Sequence, residues 1–190
     1  DLDKKYRNNS GPLKLSRSPN GNILTQVYLD AAQQAGYQIN NDMNGKNQEG
    51  FGLMDTTIYK GRRQSTSVTY LHPIIHRSNL KVLTNVTVNK IIFENKKATG
   101  VECNINGKSN KFYSNHEILL SAGAINSPHL LMLSGIGPEN ELKKHDIEPV
   151  ECLEGVGENL QDHLETYVQY ECKKPVTLYS AQNPIRMAFI

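Results

Sequence analysis

The sequence has few cysteines, little net charge and no long apolar run. Its three cysteines, Cys103, Cys152 and Cys172, are odd in number and widely spaced, which is typical of a reducing compartment and gives no metal-ligand spacing. Twenty-one basic and 19 acidic side chains leave a formal charge of +2, so electrostatics favours neither nucleic-acid nor anionic-membrane binding. No apolar run approaches the length of a membrane span.

The two ends also lack the usual marks of a complete chain. There is no initiator methionine, the polar start is unlike a signal peptide, and residues 187–190 are apolar. We therefore expect an internal fragment of a longer protein. A dinucleotide-binding glycine fingerprint is missing as well, because no third glycine follows at the required place after Gly135-Ile136-Gly137 or Gly155-Val156-Gly157.

Periodicity predicts a mixture of helices and strands. Apolar spacing favours a helix over 23–35 that ends at Gly36, after a turn at 20–22, and a second helix over 139–145. Residues 40–52 are typical of a loop, and a short helix is expected from Ser67 to Leu71. Strands are predicted over 13–16, 80–84, 86–93, 98–105, from 111, 117–120 and 166–171, with hairpin turns at 95–97 and 106–108 and an extended segment over 147–152.

The stretch 121–137 is the most informative part of the sequence. The apolar run 117–120 just before it predicts a buried strand. The stretch itself predicts a turn of small residues, Ala122-Gly123-Ala124, and then a buried helix with Ser127 as N-cap and Pro128 at its first position. Gly135 is expected to end this helix in a left-handed conformation. Such a turn can place a phosphate-bearing cofactor at a helix N-terminus, although ordinary strand-to-helix turns share the spacing.

The full string resembles a known family signature. Residues 121–137 are similar to the second signature of the glucose–methanol–choline (GMC) family of flavin oxidoreductases. The segment 155–163 belongs to the same resemblance, which extends from about residue 11 to residue 181. Several further segments are similar to the choline-oxidising members of the family: residues 42–45, 48–52, 61–65, 70–71, 159–165 and 175–179.

The resemblance implies a mixed α/β (α+β) fold. It consists of part of an FAD/NAD(P)-binding Rossmann-like domain interleaved with a substrate domain built on an antiparallel sheet. Residues 1–62 are expected in the substrate domain, 63–163 in the FAD-binding domain, and 164–190 in truncated strands of the substrate domain. The family's N-terminal phosphate loop and its C-terminal catalytic histidine are both expected outside this sequence, so it holds no catalytic residue and the fragment alone is expected to be inactive.

The resemblance also implies cofactor contacts. Val88 is expected on the strand whose backbone meets the adenine end of FAD, although a plain core valine is the alternative. Ala122 and Gly123 correspond to the close approach of the backbone to the cofactor. A basic pair, Arg62-Arg63, could hold phosphate or lie on a solvated surface.

Glu165 corresponds to the glutamate that faces the trimethylammonium group in choline-oxidising relatives. A quaternary ammonium has no N–H donor, so it is held by aromatic faces and an opposing charge. The alternative for Glu165 is an exposed surface carboxylate. Its neighbours are expected to be structural, with Asp162 as a loop-capping acceptor and His163 as a hydrogen-bonding loop histidine.

The implied function is FAD-dependent oxidation of choline to betaine aldehyde, a step of glycine betaine biosynthesis. Two alternatives stay open: another GMC alcohol or sugar dehydrogenase, and an inactive truncated fragment. The implied partners are choline and a respiratory electron acceptor, with no nucleic acid. The implied location is peripheral association with a bacterial or mitochondrial inner membrane.

Overall fold

The computed structural model describes residues 5–17, 22–177 and 179. The chain divides into two compact units, residues 1–81 with 167–190, and residues 82–166. The predicted turn at 20–21 and the end of the predicted substrate-domain portion, 180–190, lie outside the described residues. None of the helices among the described residues has the length and apolar character needed to cross a bilayer.

The first unit contains one long helix, as predicted. Helix α1 spans Ile23–Gln34, and the side chain of its N-cap Asn22 accepts a hydrogen bond from the Leu24 amide at 2.9 Å. Gly36 follows with φ +86°, the left-handed conformation that ends many helices. The polar loop after α1 is confirmed, and its backbone is held by a parallel bridge between Ile39 and Phe51.

The remaining elements of the first unit are short. Strand β1 (Ser16–Arg17) pairs antiparallel with β2 (Asp55–Thr56), and β3 (Ile58–Tyr59) pairs antiparallel with β4 (Arg62–Arg63). A single π-helical turn at Ser67–Leu71 leads into a 3₁₀ turn at His72–Ile74. The helix predicted from Ser67 to Leu71 therefore exists, while only Ser16 of the strand predicted over 13–16 is paired.

The second unit is built on a three-stranded antiparallel meander. Strands β5 (Val86–Glu94), β6 (Lys97–Ile105) and β7 (Lys108–Tyr113) follow one another in sheet order. Both hairpin turns have left-handed residues, with φ +49° and +62° at Asn95 and Lys96. Each turn begins with an asparagine, Asn95 or Asn106, and this predicted the hairpins, because asparagine tolerates the positive φ that a two-residue turn requires.

A helical layer covers part of this sheet. Helix α2 spans Gly123–Leu133 and packs against β5, and it is followed by β8 (Ile136–Gly137), α3 (Glu139–Lys144) and β9 (Glu151–Cys152). Strand β8 pairs with β9 in parallel. The most buried residues of the unit come from all these layers: Ile91, Cys103, Ser134 and Leu142.

Three predicted strands are wrong. Residues 80–84, 117–120 and 166–171 have no strand structure, and Leu119 is 81% exposed although 117–120 was expected to be buried. A strand needs a neighbour to take up its N–H and C=O groups. No strand within the described part of the chain pairs with these three segments, so their apolar patterns alone do not produce strands.

The predicted start and burial of α2 are also wrong. The helix begins at Gly123, so Pro128 lies inside it and Ser127 is not its N-cap. An N-cap side chain accepts from an amide that follows it. The Ser127 hydroxyl instead accepts from the preceding Ala122 amide at 3.1 Å. No residue of α2 is fully buried, although the helix contacts both β5 and β8.

Candidate cofactor and substrate site

The N-terminal end of α2 presents bare backbone. Gly123 has φ +89°, and a Cβ added at this position would meet no atom within 4 Å. Ala122 and Gly123 are both exposed. A left-handed φ is easy for glycine and strained for other residues, so this position needs glycine for its conformation and leaves the space above it open.

The other end of α2 is firmly held. The Ser134 hydroxyl accepts a hydrogen bond from the Ile91 amide at 2.8 Å and donates one to the Leu130 carbonyl at 2.6 Å. Gly135 follows with φ +86°, and a Cβ there would lie 2.6 Å from the Glu148 carbonyl oxygen. The helix is thus fixed to the sheet at its C-terminal end and open at its N-terminal end.

Val88 lies on β5, the strand that α2 contacts. It pairs with Cys103 on β6 and is 39% exposed. A register shift between Val88 and Lys90 marks a bulge beside it. Strand β5 is an edge strand of the meander, so one side of its backbone is not used by the sheet. Val88 and Gly123 therefore lie on two elements that pack together.

Glu165 lies on neither element. It is an exposed residue of the irregular stretch that follows the glycine loop 155–157. In the same stretch the Asp162 carboxylate accepts a hydrogen bond from the His163 amide at 2.8 Å, which is the local acceptor role expected for Asp162. Gly123 thus begins the helix that packs on the strand of Val88, and Glu165 lies on neither element.

The predicted basic pair lies on a short, exposed strand. Arg62 and Arg63 form β4, and both are exposed. The hairpin that joins β3 to β4 turns through Lys60 and Gly61, with φ +50° and +71°. A phosphate contact by this pair stays a prediction.

Sequence reasoning missed a charged cluster in the first unit. The Arg7 guanidinium is hydrogen-bonded to the carboxylates of both Asp42 and Asp55, and Arg17 Nε donates to Asp55 at 3.4 Å. Arg7 is 35 and 48 positions from its partners, so no local spacing could have revealed the cluster. The side chains of Arg7, Asp42 and Asp55 are only 18%, 11% and 11% exposed.

The cluster perturbs the acidity of its members. Burial raises the pKa of Asp55, but the hydrogen bond and charge of Arg7, together with those of Arg17, outweigh it, so the pKa falls below its usual 3.8. The hydrogen bond to Asp42 raises the pKa of Arg7 most, and the hydrogen bond to Asp55 is the second largest cause. Arg7 and Asp55 are therefore both charged at neutral pH.

Nothing in the described ranges resembles a metal centre. No group of three or more metal-ligating side chains occurs among the described residues. The three cysteines are free thiols, with Cys103 buried and the other two exposed.

Comparison with known proteins places these features in context. The family model described as GMC oxidoreductase matches residues 1–165. Human mitochondrial choline dehydrogenase is 52% identical over 187 residues, which cover 98% of this chain and 31% of the human protein. An oxygen-dependent choline dehydrogenase from Staphylococcus xylosus is 50% identical over 185 residues, covering 97% of this chain and 33% of that protein. The chain thus spans about a third of the length of the curated relatives it matches.

Solved structures show the same fold. An FAD-dependent oxidoreductase from Chaetomium thermophilum superposes with a TM-score of 0.73 at 28% identity, over 80% of this chain and 27% of that one. A pyridoxine 4-oxidase from Mesorbium loti gives a TM-score of 0.70 at 26% identity, over 75% of this chain and 28% of that one. The mixed helix-and-strand fold expected from the sequence is confirmed by these neighbours.

Proposed function

Since this chain belongs to the GMC oxidoreductase family, we propose that the protein containing it oxidises choline to betaine aldehyde, with FAD as hydride acceptor. The observation that carries the proposal is the identity of 48–52% to choline dehydrogenases over nearly the whole chain. The pyridoxine-oxidising neighbour shares only 26%. Choline is therefore favoured over other alcohols as the substrate.

The N-terminal end of α2 fits a cofactor that needs a close backbone approach. The open space above Gly123 and the exposed Ala122 would accept a flat or phosphorylated group without moving a side chain. Unpaired amides at a helix N-terminus favour an anionic group there. The edge position of β5 leaves backbone near Val88 for the adenine end. When bound, FAD would supply the hydride acceptor that amino-acid side chains lack.

Glu165 would select the substrate. Its carboxylate would face the trimethylammonium group of choline and oppose the fixed positive charge. Such a pair contributes more as water is removed from it, because Coulomb energy rises as the effective dielectric falls. Glu165 lies on an exposed, irregular stretch, where a cation can reach it.

The remaining assignments follow from the family resemblance. We propose that residues 1–62 and 164–190 belong to the substrate domain and 63–163 to the FAD-binding domain. We further propose that the electrons pass to a respiratory acceptor and that the protein associates peripherally with an inner membrane. The names of the relatives include a mitochondrial and an oxygen-dependent enzyme, so the acceptor needs its own measurement.

A comparison of two substrates tests the proposed function. Turnover of the complete gene product is measured with choline and with 3,3-dimethylbutanol, an uncharged alcohol of the same shape. We expect kcat/KM to be at least roughly tenfold higher for choline, which corresponds to about 1.4 kcal/mol of charge recognition. Glu165→Gln should remove most of this preference by raising KM for choline, because the variant keeps the shape and loses the charge.

The matched control is Glu158→Gln, a second exposed glutamate of the same loop region. Glu158→Gln should leave kcat/KM unchanged for both substrates. Equal turnover of the two alcohols by the unchanged protein would contradict choline as the substrate. An unaltered KM for choline in Glu165→Gln would contradict only the role of that residue.

A further inference from the structure

Ser127 makes an unusual hydrogen bond for a serine inside a helix. It is half-buried and lies in the second turn of α2. A helical serine commonly donates to the carbonyl four residues before it, as Ser134 at the end of α2 does to Leu130 at 2.6 Å. The Ser127 hydroxyl instead accepts from the Ala122 amide at 3.1 Å. It therefore ties the residue that precedes α2 to the body of the helix.

This hydrogen bond spans Gly123. Ala122 has φ −87° and ψ 6°, and Gly123 follows with φ +89°. Glycine adopts positive and negative φ about equally readily, so the residue type alone does not hold the turn in one conformation. A Cβ added at Gly123 would meet no atom within 4 Å, so no side chain packs against the turn on that side. The bond to Ser127 is therefore a direct restraint on the turn.

The restrained turn is the exposed backbone that we assign to FAD. Ser127 takes up the Ala122 amide, while the amides of Gly123 and Ala124 are the first of the helix and have no acceptor within it. A binding surface that is already held in its bound conformation loses less conformational freedom when the ligand binds, which strengthens binding. The Ser127 hydroxyl thus has a route to cofactor affinity through the backbone.

We propose that Ser127 is a positioning residue for FAD, which holds the Ala122-Gly123 turn in the conformation that the cofactor meets. It acts through the Ala122 amide and not through a contact of its own with the cofactor. The role rests on the proposed function, in which FAD approaches residues 122 and 123. A serine that only stabilised the fold would affect unfolding and leave FAD affinity unchanged.

Titration of the apoprotein with FAD tests this role. FAD is removed from the complete gene product, and Kd is measured from the change in flavin fluorescence on rebinding. Ser127→Ala should raise Kd roughly fivefold, the factor that corresponds to the net contribution of one hydrogen bond. Ser127→Thr keeps the hydroxyl and should bind FAD as tightly as the unchanged protein. Ser127→Cys keeps the size and replaces the oxygen with a weak acceptor, so it gives the same readout if Ser127→Ala does not fold.

Asn104→Ala is the matched control. The Asn104 side chain accepts a hydrogen bond from the Gly107 amide at 2.8 Å, and Gly107 has φ +80°. This variant therefore also removes a side-chain acceptor beside a left-handed glycine, but in the turn between β6 and β7. Its Kd for FAD should equal that of the unchanged protein even where its stability falls.

Hydrogen exchange of the apoprotein gives a readout that needs no flavin. The Ala122 amide should exchange faster in Ser127→Ala, because its hydrogen bond no longer has to open before exchange. In Ser127→Thr and Asn104→Ala the same amide should exchange at the rate of the unchanged protein.

The possible failures are distinguishable. Equal FAD affinity in Ser127→Ala and the unchanged protein would overturn the positioning role and leave the use of FAD intact. Equal exchange of the Ala122 amide in these two proteins would overturn it as well, and so would a rise in Kd that Ser127→Thr shares. Absence of FAD binding to the unchanged protein would contradict the proposed function, and the positioning role with it.

Discussion

Gly123 combines a left-handed backbone with open space, and this combination allows a test of cofactor contact. Gly123→Ala should strain the backbone by roughly 1–2 kcal/mol, because a Cβ disfavours positive φ. Its methyl group would enter the space that we assign to FAD. We therefore expect a clear loss of bound flavin per protein, measured from the absorbance ratio of the purified complete gene product.

Gly107→Ala is the matched control for this substitution. Gly107 also has a positive φ, +80°, and open space around its missing Cβ, but it lies in the turn between β6 and β7. The two variants should lose similar stability and differ only in flavin content. Equal flavin content in both would contradict a cofactor contact at Gly123.

Asp55 should make stability depend on pH. Asp55→Asn removes an acceptor of two arginines and should lower the free energy of unfolding by about 2 kcal/mol at pH 7, the range of hydrogen bonds to charged groups. Because the folded pKa of Asp55 is depressed, its contribution is present above the unfolded pKa and is lost as pH falls through the folded pKa. The measurement is urea unfolding at pH values from 7 down to about 3. The gap in free energy of unfolding between Asp55→Asn and the unchanged protein should shrink as the pH falls.

Asp30→Asn controls for the general effect of removing a carboxylate. Asp30 is exposed on α1 and accepts only a surface hydrogen bond from Gln26 among its described contacts. Its effect should be small at every pH. A difference for Asp55→Asn that stays constant down to pH 3 would contradict the ion-pair account.

At the scale of elements, Ser134 connects α2 to β5. Ser134 is 2% exposed and Ile91 is 4% exposed, so Ser134→Ala would leave a buried Ile91 amide without its acceptor. We expect a loss of about 1–3 kcal/mol, the cost of an unsatisfied buried group. The measurement is the urea midpoint of the complete gene product, read with a probe in residues 82–166.

Ser109→Ala is the corresponding control, since Ser109 is an exposed residue of β7. It should change stability by no more than about 0.5 kcal/mol. If the two serine variants unfold at the same urea concentration, the hydrogen bond from Ile91 does not stabilise the packing of α2 on the sheet.

Local signals determined which elements could be predicted from the sequence. Helix α1 and the β5–β6–β7 meander were predicted because asparagine caps, glycine stops and asparagine-rich turns act within a few residues. The segment 117–120 was misassigned because strand formation depends on a distant partner that its own residues do not specify. The Arg7 cluster was missed for the same reason, since its members are far apart in the sequence.

The start of α2 shows a subtler limit. Ser127-Pro128 is a strong local signal for a helix start, but the helix begins at Gly123 and includes the proline. The Ser127 hydroxyl is bonded to the Ala122 amide, which precedes α2. The C-terminal end of the same helix was predicted correctly, because a glycine in the left-handed conformation, here Gly135, commonly ends a helix.

At the scale of the whole molecule, family membership and function rest on different support. The family model covers residues 1–165, and the fold agrees with solved flavin-dependent neighbours. The positions proposed for FAD and choline, Val88, Ala122, Gly123 and Glu165, stay predictions. The compact units divide the chain at residue 81, whereas the predicted domain boundary lies at residue 62, and the domain assignment also stays a prediction.

The most direct test is anaerobic mixing of the purified complete gene product with choline while the flavin absorption bands are recorded. The account predicts oxidised flavin bands at the start, rapid bleaching by choline, and the appearance of one equivalent of betaine aldehyde per flavin. A protein without flavin bands, or with bands that neutral alcohols bleach and choline does not, would contradict the account.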